Sequence, residues 1–308
     1  MNEDNPQYYR SIAIVPKRET PLDSDEAHWV YAAERLSGRI NGEFVARQPL
    51  HVGTGQFVAP ERIGIQDAAP LVKSFYRAEE RITVGGASLK GAVRSLFEAM
   101  TYSAVTKTKA RLNRREFGES TINARRRQDK GDLDPAGRLF GAMGYQAHLR
   151  FFDCPLVEGE TAVHDIPPQY QPKGDDEHRR YYPHALKDNR RGTWPLEVVK
   201  PGGVFRFAIQ FDNCSQAELG VLLIILGQTD PPICLKLGAG KSAGLGGIQF
   251  QKVQVTLLDT TESYRQYEPA EQVLNVAECV AVALKSSLLR RDDPVKRFQQ
   301  ELGCTQLE

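Results

Sequence analysis

Between residues 237 and 247 the chain reads Leu237-Gly238-Ala239-Gly240-Lys241-Ser242-Ala243-Gly244-Leu245-Gly246-Gly247. A glycine cluster of this density costs backbone entropy, so it serves positive φ angles or the close approach of another backbone. Lys241 in its midst makes phosphate the natural guest. Gly240-Lys241-Ser242 matches the end of a nucleotide-binding P-loop, but Leu235 stands where that loop needs its first glycine. The following residues, 248–257, alternate and are rich in β-branched side chains, the pattern of a strand. With no helix opening after the glycines, the P-loop and the dinucleotide fingerprint both fail. Two readings stay open: a flexible hairpin tip, or a backbone-lined groove for a longer phosphate chain.

Charge distribution bears on that choice. The net charge of the 308 residues is only +1, yet cations crowd two segments. One runs from Lys107 to Lys130 and the other from Lys173 to Arg191. A nearly neutral protein with two basic patches can hold a polyanion locally without being adhesive everywhere. The five cysteines are scattered and form no C-x-x-C pair, and residues 1–6 lack a basic-then-apolar leader. Reduced thiols in a cytoplasmic protein are therefore expected, without a membrane span. The histidines show no zinc spacing.

The organisation is read as an irregular extension over 1–34, then one α+β domain over 35–308 with insertions at about 105–145 and 160–200. Residues 36–46 alternate as a strand, and Ser88 opens a helix with Leu89, Val93, Leu96, Phe97 and Met100 on one face. Strands are expected at 149–153 and 204–211. Ser215-Gln216-Ala217-Glu218 is a capping box before an apolar helix ending near Leu226. A last amphipathic helix is expected over about 270–290, with Val273, Leu274, Ala277, Ala281, Leu284 and Leu288 facing inward. The compact order β-α-β-β-α-β is that of a ferredoxin-like (RRM-like) fold. The basic stretch near 107–134 is read as partly helical or disordered unless bound. Between the middle strands lies a proline-rich excursion carrying Tyr170, Arg180, Tyr181, Tyr182 and Trp194, a mixture suited to stacking on splayed bases.

Four segments in this order resemble the RAMP superfamily, in particular the backbone subunits of type III CRISPR effector complexes. They are Pro49-Leu50-His51-Val52-Gly53, Asp67-Ala68-Ala69-Pro70-Leu71-Val72, Gly85-Gly86-Ala87-Ser88-Leu89-Lys90-Gly91-Ala92-Val93-Arg94, and the glycine loop. Arg138-Leu139-Phe140-Gly141 also fits. The resemblance implies an antiviral-defence ribonucleoprotein with guide RNA (crRNA), target RNA, other RAMP subunits and a large signalling subunit as partners. It implies RNA-binding positions at His51, Gly53, Ser88, Lys90, Arg94, Gly238, Gly240, Lys241, Ser242 and Gly244, and a projecting thumb in the excursion with Arg180 and Tyr182. It further implies endonuclease activity on target RNA through Asp67 with a divalent cation such as magnesium. Here two residues separate Asp67 from Pro70, where the family usually has one. A non-catalytic scaffold or end subunit is the second expectation. A stand-alone processing ribonuclease with His51 or His184 as general base is the third.

Overall fold

The computed structural model describes residues 9–21, 28, 31–65, 70–105, 112–120, 132–169, 178–185, 192–266 and 272–307. The architecture is α+β, with a large antiparallel sheet, a four-stranded second sheet and helices packed against the first. In the large sheet, β1 (Leu36–Ala46), β2 (Leu149–Phe151), β3 (Cys154–Glu158), β4 (Val204–Cys214) and β5 (Gly247–Leu257) form the centre. Their order across the sheet is β5-β1-β4-β3, and β2 pairs with the far half of the same β4 edge. Thus β2 and β3 lie end to end along one neighbour.

Alternation along these strands sends phenylalanines to one face. Phe44, Phe205, Phe207 and Phe211 are at most 1% exposed, and Phe44 stacks on Phe205 with centroids 5.0 Å apart. Against this face lies α1 (Gly86–Met100), burying Leu89, Val93, Leu96, Phe97 and Met100 as its spacing predicts. Beside it runs α2 (Gln216–Ile225). Its capping box is complete: Ser215 Oγ accepts from Glu218 N–H, and Glu218 Oε2 accepts from Ser215 N–H at 2.8 Å.

The C-terminal region differs from expectation. The helix there is α3 (Val276–Lys285), shorter than 270–290, and it buries Cys279, Val280 and Ala283. Ala277, Ala281 and Leu284 point to solvent instead. The small side chains win because the backbone of α3 comes so close to α2 that a Cβ on Gly220 would lie 2.1 Å from Cys279 O. A further helix, α4 (Pro294–Leu302), follows. The N-terminal extension is also structured where described: Arg10–Ala13 pairs with His178–Tyr181, and Thr20–Pro21 pairs with Asp132–Leu133. Of the basic segment, 106–111 and 121–131 lie outside the described residues, and Arg114–Phe117 forms one helical turn.

The described parts of the excursion fold back into sheets. Thr161–Ile166 and Trp194–Val199 join Val72–Phe75 and Gly53–Val58 in the second sheet. Residues 170–177 and 186–191 lie outside the described residues.

The expectation of five reduced thiols is overturned at one pair. Cys234 and Cys304 are bridged across 70 residues, while Cys154, Cys214 and Cys279 are free and buried. The bridge reinforces backbone bonds from Cys234 N–H to Leu302 O and from Cys304 N–H to Pro232 O. Closing a loop of this length restricts the unfolded chain. Reduction, or Cys304→Ser, is expected to lower the unfolding free energy by about 2–4 kcal/mol in urea titrations. Equal midpoints with and without reductant refute that expectation. Among the described residues no helix is long and apolar enough to cross a membrane.

Candidate nucleic-acid interface

The glycine cluster is held on two sides. Gly238, Gly240, Gly244 and Gly246 all have positive φ, and Lys241–Ala243 makes one 3-10 turn between them. Ala239 N–H donates to His51 O at 2.9 Å, and Gly246 N–H donates to Pro49 O at 3.0 Å. From the other side Leu245, 1% exposed, plugs into Ile166, Leu196 and Val198 of the second sheet. The loop is thus a pinned turn, and the flexible-tip reading is set aside.

One buried network supports the pinning. The His51 ring is 2% exposed and hydrogen-bonds through Nδ1 to Glu197 O at 2.6 Å. The Glu197 carboxylate, fully buried, takes a forked pair of bonds from Arg77 and one from Phe75 N–H. This bonding raises the Arg77 pKa.

Above the pinned turn lies a cleft of about 650 Å³. Its walls bring together the first turns of α1 (Ser88, Gly91), the strand His178–Tyr181 and its exit (Arg179, Arg180, Tyr182), and the glycine loop (Gly238, Lys241). Six predicted positions therefore converge, namely Ser88, Arg94, Arg180, Tyr182, Gly238 and Lys241. Burial lowers the pKa of Lys241, and among the described residues no carboxylate pairs with it. Arg180 lies over the Tyr9 ring, 4.6 Å from its centroid. Burial raises the pKa of Tyr182.

Other predicted positions take different parts. Ser88 is not the helix cap: Gly85 holds that place, and Asp153 Oδ1 accepts from Gly86 N–H at 2.8 Å. Ser88 is exposed in the first turn instead. Arg94 is engaged, donating to Glu98 at 2.9 Å, to Gly141 O at 3.1 Å and to Glu119. Lys90 is half-buried and not among the cleft-lining residues; burial, then Arg94, lowers its pKa. Ser242 Oγ donates to Gln169 Oε1, which turns it toward the excursion. Gly240, Gly244 and Gly53 shape the neighbouring backbone without lining the cleft.

The buried ring of His51 supports the turn from beneath. His184 is equally buried, its pKa pushed down to about 4 by burial and then by Lys236. Neither imidazole reaches solvent, which removes the physical basis for either as a general base. Asp67 lies outside the described residues. The described residues contain no cluster of three or more His, Cys, Asp or Glu that could hold a metal ion. Tyr181 is core, its hydroxyl donating to Ser95 O at 2.9 Å, and Trp194 stands on the second sheet with Lys73 Nζ 4.2 Å over its ring. Tyr170 lies outside the described residues.

Sequence reasoning missed Lys236, Arg179 and Glu98, which also line the cleft. Lys236 carried a usable signal: it is the lone charge in the apolar run from Ile233 to Leu237.

The sequence of the cleft's scaffold places it in a family. The pattern described as the RAMP superfamily matches residues 43–249, about two thirds of the chain. The chain belongs to the RAMP superfamily. All four motif segments fall inside or overlap that match. Among solved structures, this RAMP protein is similar to a chain of the cryo-EM structure of the Type III-B Cmr-beta bound to cognate target RNA. Identity is 17%, the TM-score is 0.41, and the alignment covers 71% of this chain and 61% of that one. The RAMP chain therefore spans about three fifths of that neighbour's length. No curated protein matches it.

Proposed function

We propose that this RAMP protein is a guide-RNA-binding subunit of a type III CRISPR ribonucleoprotein, with the cleft as a track for the sugar–phosphate strand. The observation that carries this reading is the meeting of Ser88, Arg180, Tyr182, Gly238 and Lys241 in one cleft, from three chain segments far apart in sequence. Lys241 offers a cation that no described carboxylate pairs with, Tyr182 offers a ring, and the glycine turn lets a strand approach the backbone. The order β5-β1-β4-β3, with β2 and β3 taken as one broken strand, supports a ferredoxin-like core. The place for a thumb, on this reading, is the excursion that carries Arg180 and Tyr182.

Salt titrations of single-stranded RNA binding test the track. Each phosphate contact on a single strand contributes about 0.7 to the log–log salt slope. The pair Lys241→Ala and Arg180→Ala is expected to flatten the slope by about 1.4 and weaken binding at moderate salt. An unchanged slope and affinity would falsify the track. Target cleavage through Asp67 with a divalent cation is part of the same proposal. In the assembled complex, Asp67→Ala is expected to abolish cutting while leaving guide retention intact. An unchanged cleavage pattern leaves the non-catalytic scaffold reading.

A further inference from the structure

Lys236 sits where a cation is seldom found. It is 7% exposed, in the two-residue strand Leu235–Lys236 against the start of β5. Its Nζ donates to Gln48 Oε1 at 2.6 Å and to Leu245 O at 3.0 Å. The orientation of Gln48 is set by its other bonds: Oε1 also accepts from Gly247 N–H at 3.2 Å, and Nε2 donates to His184 O at 2.7 Å. The amide therefore presents an acceptor to the lysine. Both acceptors are neutral, and together they match two N–H groups; an ammonium has a third.

Among the described residues no carboxylate pairs with this amine. Glu98 is the one acid among the described residues lining the cleft, and Arg94 and Arg179 already hold its two oxygens. The remaining charged or titratable groups around Lys236 are Lys241, Arg180, Tyr181, Tyr182 and the neutral His184. A buried amine with two satisfied donors, cationic neighbours and an open cleft beside it is completed by an incoming anion.

We propose that Lys236 is a phosphate-holding residue of the cleft: when a phosphodiester oxyanion enters, the amine takes up a solvent proton wherever the free chain leaves it neutral, and directs its third N–H to that oxygen. The proposal rests on the reading of the cleft as an RNA track. In the free chain burial, then Lys241, lowers the Lys236 pKa to about 7. A bound anion favours the charged form and raises it again. RNA affinity is therefore greatest below the free value and falls as pH rises toward the bound value. Tyr181 and Tyr182 have pKa values raised above their ordinary range and His184 titrates near 4, so none of the three titrates between.

The test uses the full chain and a short fluorescein-labelled single-stranded RNA at fixed ionic strength. From about pH 6.5 to about pH 8.5 the affinity is expected to fall about tenfold or more. Calorimetry in two buffers of different ionisation enthalpy is expected to show uptake approaching one proton per bound RNA near pH 8. Lys236→Met is expected to bind more weakly at the lower pH and with a flat pH profile. RNA that binds the native chain without proton uptake overturns the role of Lys236 and leaves the track standing. RNA that does not bind at any pH overturns both. If Lys236→Met fails to fold, the proton count on the native chain decides alone.

Discussion

Replacing Arg77 by alanine is expected to lower the unfolding free energy by about 3–5 kcal/mol. The reason is the partner left behind. Glu197 is 0% exposed, and without the guanidinium its carboxylate keeps only the bond from Phe75 N–H. A buried charge stripped of its counter-ion is among the costliest single changes a fold can suffer. The double replacement Arg77→Met with Glu197→Leu is expected to lose much less, because it removes both charges and retains volume. Urea unfolding of the three chains checks this: a double variant as unstable as Arg77→Ala shows that packing, not the orphaned charge, is responsible. Because Glu197 O also holds His51, Arg77→Ala is expected to loosen the glycine turn and weaken RNA binding as well.

Gly238→Ala is expected to give the second large effect, and to fall on binding as much as on stability. Gly238 has φ +79°, and a Cβ there would lie 2.1 Å from His51 O. The obstacle is backbone, itself the acceptor for Ala239 N–H, so neither side can yield without breaking the pin. A loss of about 2 kcal/mol or more in stability is expected, together with a loss of RNA affinity. Gly240→Ala supplies the comparison. Its φ is +71°, so alanine carries backbone strain there too, but its Cβ would meet the Leu245 side chain at 3.0 Å and no backbone acceptor of the pin. Equal affinities of both variants and the parent would remove the glycine turn from the binding surface.

The legibility of this fold follows the range of its interactions. The capping box at Ser215 and Glu218 is local, and it stands as read. The long strands β1 and β5 announced themselves by alternation over residues 36–46 and 248–257. The start of α1 was displaced to Ser88 because its N–H cap is Asp153, remote in sequence. The second sheet escaped notice for a related reason: Gly53–Val58 is almost wholly exposed and carries no two-faced pattern. Leu274 and Leu288 pack against the core as read, but Ala277, Ala281 and Leu284 were placed inward wrongly, since Gly220 on α2 meets Cys279 and Ala283 at close quarters.

In the site, the motif residues Ser88, Gly238 and Lys241 were legible and do converge. Arg94 was legible as a cation but not as one already bound, since Glu98, Gly141 and Glu119 are set around it by the fold. The buried role of His51 was hidden because its acceptor, Glu197 O, lies 146 positions away.

The short N-terminal strand Arg10–Ala13 has a practical consequence. It pairs residue for residue with His178–Tyr181, the segment that carries Arg179 and Arg180 to the cleft wall. Ile12 is 2% exposed and Arg297 donates to Ser11 O at 2.8 Å, so this strand is clamped from the C-terminal side too. Anyone trimming the chain to its family-matched portion for expression or crystallisation would remove the splint behind the cleft along with the apparent tail. An affinity tag is better placed where it leaves that strand free to pair.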